Sequence, residues 1–434
     1  MEKTYWFFDV FLIINKSAVI YLSDINADIV VIGGGAAGIS AAIEAKQALP
    51  SANVIIAERL DRIGKKILAT GNGRCNLSNK NLSENSYHGS ITNAIDVISS
   101  TKSAEEFFSS LGVLCTYDSQ GRIYPQSNSA ATILNALRIK LSQLGITEIC
   151  NLQINEIQKK HNRFILLSKE NKIICRRIII ACGGYAAPSF GTDGSMIGLL
   201  RSMGYKITKI CPAIAPLKVA SDSLKGLKGV RVKGKVSAVA NGKILREEIG
   251  EIQFTENSIS GICVFNLAYF MSQYENKLSL KVDFMPEMST SKIEAYLLEV
   301  RNTRSDCTLE DFLTGIFTKN LAIYLMKNSV DKKLNEKIST LQKNEIQHIA
   351  DKIKSFEFKI SGCSSWNNAQ TTSGGISGIC IDNKLESTLD KGLFFAGEIL
   401  DVNGDCGGFN LEWAWSSGMW AGRNCAASLK IKEI

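Results

Sequence analysis

Gly33, Gly35 and Gly38 stand after the apolar run Ile29 to Ile32 and before the alanine-rich stretch Ile39 to Leu49. A G-x-G-x-x-G at such a junction is a phosphate-cradling turn between a strand and a helix. The first glycine permits a tight turn, the second lets backbone approach a pyrophosphate, and the third lets helix and strand pack closely. Ala36 and Ala37 lie at the helix start, where free N–H groups and the positive dipole end favour an anion. A second apolar strand, Asn53 to Ala57, ends in Glu58, an acid placed to accept hydrogen bonds from a ribose. The glycine pattern alone carries little weight. With the strand, the helix and the acid-terminated second strand it describes a dinucleotide-binding βαβ unit.

Further chemistry-bearing residues follow. The segment Gly64 to Asn76 contains Lys66, Gly71, Gly73, Arg74, Cys75 and Asn76. Its glycines allow close approach to a cofactor. Arg74 can hold a phosphate or polarise a carbonyl. Cys75 can donate a proton or serve as a small buried hydrophobe. In Gly121 to Ser127, Arg122 and Tyr124 either face a substrate or form a surface turn. Ile178 to Gly184 reads as a buried strand ending at Cys182 and Gly183. Another strand, Gly392 to Ala396, ends in Gly397 and Glu398, with Asp401 close behind. Gly407, Gly408, Phe409 and Asn410 then open a helix. An acid after such a strand can bond the ribityl chain of FAD. The helix N-terminus at Gly407 and Gly408 can stabilise the negative charge of a reduced flavin ring. These C-terminal features favour FAD over NAD as the bound cofactor.

The three histidines lie outside the glycine-rich motifs, which argues against Ser-His-Asp or Cys-His chemistry. The twelve cysteines form no C-x-x-C pair, so no metal site is expected, and they read as reduced thiols of a cytoplasmic protein.

These residues need elements to hold them, and a chain of 434 residues requires two or three domains. The fold class is α/β: an FAD-binding Rossmann-like domain of the two-dinucleotide-binding-fold type, interrupted by inserted domains. Residues 27–205 and 366–434 form the FAD-binding part. Residues 206–285, with short strand-like runs between Gly, Asn and Ser, form an inserted β-rich domain. Residues 286–365 form an inserted helical domain, its helical texture running from Pro286 to Phe358 with Ser289 and Thr308 as caps. Residues 1–26 are an N-terminal extension. Its apolar run, Tyr5 to Leu22, is broken by Asp9, Asn15 and Lys16, so no stable membrane association is expected.

The net charge is +8, and residues 206–365 hold 24 Lys and Arg against 18 Asp and Glu. Lys225, Lys228, Arg231, Lys233 and Lys235 cluster within twelve residues. They either protect a solvated strand edge or meet an RNA backbone.

Taken in order, Gly71 to Asn76, Gly121 to Ser127, Thr371 to Gly375 and Ala396 through Asn410 to Gly422 resemble the BaiN/YhiN-like family of FAD-dependent oxidoreductases, also called the aminoacetone oxidase family. The resemblance covers Asp28 to Ala427. It implies reduction of a carbon–carbon double bond, with NAD(P)H feeding the flavin. Relatives act on a uridine of large-subunit ribosomal RNA or on unsaturated bile-acid intermediates. This chain departs from the pattern at Asn257-Ser258, at Cys182 where Thr is common, at Cys406, and in its N-terminal residues. The first expectation is therefore an rRNA dihydrouridine-forming reductase, its basic inserted domains holding the RNA. The second is a small-molecule enone reductase or amine oxidase. The third is a flavin-holding structural or assembly protein. A single glycine fingerprint leaves NAD(P)H to bind transiently at the flavin face.

Overall fold

The computed structural model describes residues 23–274 and 277–430. Strand β1 (Ser23–Ile32) lies between two parallel neighbours, β2 (Val54–Ala57) and β3 (Asn171–Ile180). Thr147–Ile149 extends the sheet beyond β2, and Arg163–Leu167 with Glu156–Lys160 extends it antiparallel beyond β3. Strand β4 (Leu393–Phe395) pairs parallel with Ile178 to Ile180. Ile29, Val30, Val31 and Ile178 to Ile180 are fully buried. Their unbroken apolar runs fit strands covered on both faces.

Helix α1 (Ala36–Ala48) leaves the end of β1 and is packed against the long C-terminal helix α2 (Phe409–Lys430). The N-terminal expectation meets two outcomes. The strand already begins at Ser23, so Ser23 to Asn26 belong to the sheet rather than to an extension, and they pair with Asn171 to Ile174. The rest of the extension lies outside the described residues. Among those described, no helix is long and apolar enough to cross a membrane.

The segment from Leu217 to Cys363 forms a closed barrel whose strands run Leu217–Val219, Ser258–Ser260, Lys243–Phe254, Arg231–Ala240, Leu278–Asp283 and Phe356–Cys363. Helices Thr290–Thr303, Lys319–Lys327 and Lys343–Lys354 sit between its last two strands in the chain. Their buried Ile293, Leu297, Ile346 and Ile349 share one core with Val236, Leu280 and Phe358 of the barrel. The helical texture expected through Phe358 ends at Lys354. Phe356, Phe358 and Ile360 are buried while Glu357 and Lys359 are exposed, a period of two that makes this a barrel strand. The chain enters and leaves the insertion through an antiparallel pair, Cys211–Ala213 against Thr371–Ser373.

Candidate functional site

A cavity of about 570 Å³ opens between the Rossmann sheet and the barrel. At one end lie Gly33, Gly35, Ala36, Ala37 and Glu58. Gly33 has φ +106, and a Cβ there would stand 2.6 Å from the Ala181 carbonyl oxygen. Gly38 does not line the cavity. A Cβ on it would stand 1.8 Å from the Gly33 carbonyl oxygen, so it is the glycine that lets helix and strand meet. At Gly35 a Cβ would meet no atom within 4 Å, because that side opens to the cavity. No side chain caps α1 at Gly35, so its first-turn N–H groups have no intrahelical partner. Glu58 is fixed beside them, accepting from Gly34 N–H at 2.7 Å and Leu60 N–H at 2.8 Å.

The Gly71 to Asn76 loop forms a second wall. Gly71, Asn72 and Cys75 have positive φ, which folds the loop tightly. Arg74 reaches over the Tyr124 ring, its guanidinium carbon 4.7 Å from the ring centroid. Arg74, Tyr124 and Arg122 all line the cavity, as do Gly71 and Asn76. Gly73 is exposed in the loop and outside the lining.

Cys75 is not brought to the cavity. It is fully buried in the Rossmann core, and burial pushes its thiol up to about 12. The sequence leaves a proton donor and a buried hydrophobe open, because it shows a reactive neighbourhood but not which way a residue at φ 57 points. The structure gives it the alternative role, a small buried hydrophobe.

Asn76 is buried, and its Oδ1 is one of two buried side-chain polar atoms among the described residues without a hydrogen-bond partner. An acceptor left unpaired against a cavity wall is completed by a ligand that donates to it. Lys66 and Glu398 form an ion pair at 2.8 Å in the same wall, and the other Glu398 oxygen accepts from Thr372 N–H at 3.0 Å. Cys182 and Gly183 line the cavity at the end of β3, where the Cys182 thiol donates to the Ile32 carbonyl at 3.2 Å.

Gly407 and Gly408 line the cavity at the start of α2, with φ +133 and +105. Asn410 also lines it, but its side chain staples the preceding loop: Gly404 N–H donates to its Oδ1 at 2.9 Å, and its Nδ2 donates to the Gly404 carbonyl at 2.6 Å. Three further expected ligands lie behind the wall. Gly397 donates its N–H to Ser417 Oγ at 2.9 Å. Asp401 accepts from Ser90 N–H at 2.9 Å. Phe409 meets Tyr87 edge-on at 6.1 Å. They carry the motif because they shape the loop.

The barrel supplies a wall that the motif reading missed. Ile262 and Phe265, on a short helix after Gly261, and Ile214 bring apolar surface to the cavity. Asn367, Asn368 and Gln370 bring amides. They meet the site only through tertiary packing, which the spacing of residues along the chain does not show. Elsewhere on the barrel, the basic stretch faces acids. Lys228 pairs with Glu256 at 3.1 Å, Arg231 with Glu251 at 3.6 Å, and Lys235 with Glu247 at 3.0 Å. Among the described residues no cluster of His, Cys, Asp and Glu could hold a metal ion.

Residues 27–424 match the family profile described as HI0933-like protein Rossmann domain. The chain is 38% identical over 407 residues to a 3-dehydro-bile acid Δ4,6-reductase of Clostridium scindens, covering 91% of this chain and 98% of the relative. It is 24% identical over 403 residues to a ribosomal RNA dihydrouridine synthase of Haemophilus influenzae, covering 89% of this chain and 96% of that one. Among solved structures, quinol fumarate reductase FrdA of Escherichia coli superposes with a TM-score of 0.50 at 14% identity, over 95% of this chain and 72% of that chain. That likeness is one of fold.

Proposed function

This chain belongs to the HI0933-like Rossmann family of flavoprotein oxidoreductases, and within it we propose an FAD-dependent reductase that saturates a carbon–carbon double bond conjugated to a carbonyl in an apolar, steroid-sized molecule, with NAD(P)H as electron donor. The observation that carries this reading is the mixed lining of one cavity. The glycine cradle, Glu58 and the unpaired Asn76 Oδ1 line it together with the apolar Ile214, Ile262 and Phe265. Apolar walls with a few placed polar groups suit a small hydrophobic substrate.

The residues present fit FAD. The uncapped first turn of α1 and the open face of Gly35 take the pyrophosphate, and Glu58 takes the ribose. With FAD bound, Asn76 Oδ1 would accept from an N–H of the ring, Lys66 and Glu398 would hold the ribityl chain, and the α2 N-terminus at Gly407 and Gly408 would stabilise negative charge on the reduced ring. When bound, FAD supplies hydride transfer to the electron-poor carbon of the substrate. Arg122 holds the substrate carbonyl, which polarises the double bond. Tyr124 Oη gives the proton to the neighbouring carbon, and the stacked Arg74 stabilises the phenolate left behind. Ile262 and Phe265 exclude water from that face.

The test is anaerobic. The protein is reduced with NADPH or NADH, and the return of flavin absorbance is followed after adding a conjugated steroid enone. Rapid reoxidation with stoichiometric saturated product is expected, slowed about a hundredfold by Tyr124→Phe. A reduced flavin that no such enone reoxidises would overturn the reading.

A second reading, dihydrouridine formation in ribosomal RNA, draws support from the Haemophilus relative and from the basic surplus of residues 206–365. The pairing of Lys228, Arg231 and Lys235 with glutamates weakens it, since paired lysines release fewer counterions from RNA. An unmodified rRNA transcript that reoxidises the flavin and acquires dihydrouridine would make it the better reading.

A further inference from the structure

The barrel touches the Rossmann domain at one unusually polar place. Asp405 belongs to the loop that closes the cavity just ahead of Gly407, and it lines the cavity with Cys406. Arg246, on the barrel strand Lys243–Phe254, grips it with two hydrogen bonds, Nη1 to Oδ1 at 2.9 Å and Nη2 to Oδ2 at 2.7 Å. His88 Nε2 stands 3.0 Å from Asp405 Oδ1 and 3.2 Å from Arg246 Nη1. Glu248 accepts from Arg246 Nε at 2.7 Å on the far side.

Two more barrel-side residues complete the junction. The Tyr269 ring stacks on His88 with centroids 4.7 Å apart. Asn266 Oδ1 accepts from Cys406 N–H at 2.8 Å. On the Rossmann side, His88 lies on a short strand paired with Val402 to Gly404, the same loop that Asp405 continues. The Asp405 side chain is only 10% exposed, and Arg246 is 24% exposed. Burial acts to raise the Asp405 pKa, but the bonds from His88 and Arg246 outweigh it and hold the carboxyl below its ordinary value.

The placement of Arg246 has a local cause. The ladder between Arg231–Ala240 and Lys243–Phe254 slips at this point: Ala238 pairs with Arg246 while Val239 pairs with Ile244. Leu245 is the extra residue of a bulge, and a bulge re-aims its neighbours. Arg246 and Glu248 thus turn together toward the Rossmann domain, while Glu247 on the opposite face serves Lys235 and Ser237.

We infer that Arg246 is a positioning residue: through Asp405 it fixes the Cys406–Gly407 loop against the cavity, so that the seating of the barrel over the cavity and the shape of the Cys406–Gly407 loop are set by one half-buried ion pair. A fork of two bonds fixes orientation as well as distance, which a lysine ammonium cannot do. The substrate consequence rests on the reductase reading above; the loop consequence does not.

Cys406 gives a reporter on the loop itself. Its thiol lines the cavity, and burial pushes it up to about 11. Flavin-loaded protein is treated with N-ethylmaleimide, and labelling of Cys406 is timed by peptide mass spectrometry. Arg246→Met is expected to raise the Cys406 labelling rate about tenfold by freeing the loop to open locally, with Cys75 staying unlabelled. The KM for the enone should rise by a similar factor while flavin reduction by NAD(P)H is unchanged. Arg246→Lys should recover only part of both, and Asp405→Asn combined with Arg246→Met should be no worse than either alone.

If Arg246→Met does not yield folded protein, Asn266→Ala removes the second tether and should accelerate Cys406 labelling in the same way. Wild-type labelling in both variants overturns the inference. Accelerated labelling in a protein that reduces no enone upholds the clasp and removes the substrate reading instead.

Discussion

At the scale of single residues, the three fingerprint glycines are not equivalent, and what stands opposite each of them differs. Gly38 is a packing glycine, and the Gly33 carbonyl occupies the space a side chain would need. Gly35 is the glycine proposed to bind. It has φ −87 and ψ −169, a conformation any residue adopts, and only empty cavity beside it. Gly35→Ala should therefore leave the flavin-free protein as stable as the parent, within about 0.5 kcal/mol. It should still cost at least about tenfold in FAD affinity, because the methyl stands where the pyrophosphate must approach backbone. Gly38→Ala should instead lower the stability of the flavin-free protein by about 1–3 kcal/mol, as overpacking does. Thermal unfolding without flavin and fluorescence titration with it separate the two effects. Equal destabilisation by both substitutions would mean that Gly35 is structural. The order of the fingerprint already implied this division of roles; the structure adds what lies opposite each Cα, open space at Gly35 and the Gly33 carbonyl at Gly38.

At the scale of elements, the cradle depends on how closely α1 and α2 lie together. A Cβ on Gly418 would stand 2.4 Å from the Ala37 carbonyl oxygen, and one on Gly422 would stand 2.3 Å from that of Ala41. Two glycines one turn apart on α2 thus seat the backbone of α1, and α1 carries the turn proposed to face the phosphates. Gly422→Ala should push the helices apart and lower the denaturant midpoint by the equivalent of about 1–3 kcal/mol. Gly198→Ala is the control. It lies in helix Ser195–Ser202 with no atom within 4 Å of a new Cβ, and should stabilise by about 0.4–1 kcal/mol. A harmless Gly422→Ala would mean the seam is loose. Much of this level was legible from sequence. The buried strands announced themselves as unbroken apolar runs and the cradle as punctuated glycine, because both are local demands on the backbone. The barrel strand Phe356–Cys363 was hidden, since its apolar residues sit among Lys and Glu and follow an amphipathic helix without a break. Ile262 and Phe265, which line the cavity, and Arg246 and Asn266, which hold its Asp405–Cys406 border, were hidden for a different reason: these are long-range meetings that no spacing encodes.

At the scale of the whole molecule, two large cores are joined by a strand pair, a small cluster of Ala186, Ala215 and Ala369, and the Arg246–Asp405 junction, and we propose different jobs for the two bodies. The Rossmann core takes no fully buried apolar residue from the stretch between Tyr205 and Ile376, and the barrel and its helices fill a core of their own. In the strand pair, Ala213 and Thr371 are direct antiparallel partners. The chain could pass from one to the other through a two-residue Asn-Gly turn, the link that suits such a pair. Replacing residues 214–370 by that turn should leave a Rossmann domain that folds, because its core, its sheet and the α1–α2 seam remain. It should also stay yellow. The glycine cradle, Glu58, Asn76 and the Gly407–Gly408 turn all lie outside the excised stretch, so FAD affinity should fall by no more than about tenfold. NAD(P)H should still reduce the flavin, whereas enone reduction should vanish with Ile214, Ile262, Phe265 and the Asn266 and Arg246 tethers. Circular dichroism, flavin titration and anaerobic reoxidation read these three properties separately. A folded domain that no longer holds flavin would mean that the barrel is part of the cofactor cradle. A folded domain that still turns over enone would return the substrate site to the Rossmann side, and with it the specificity that the cavity assigns to the barrel.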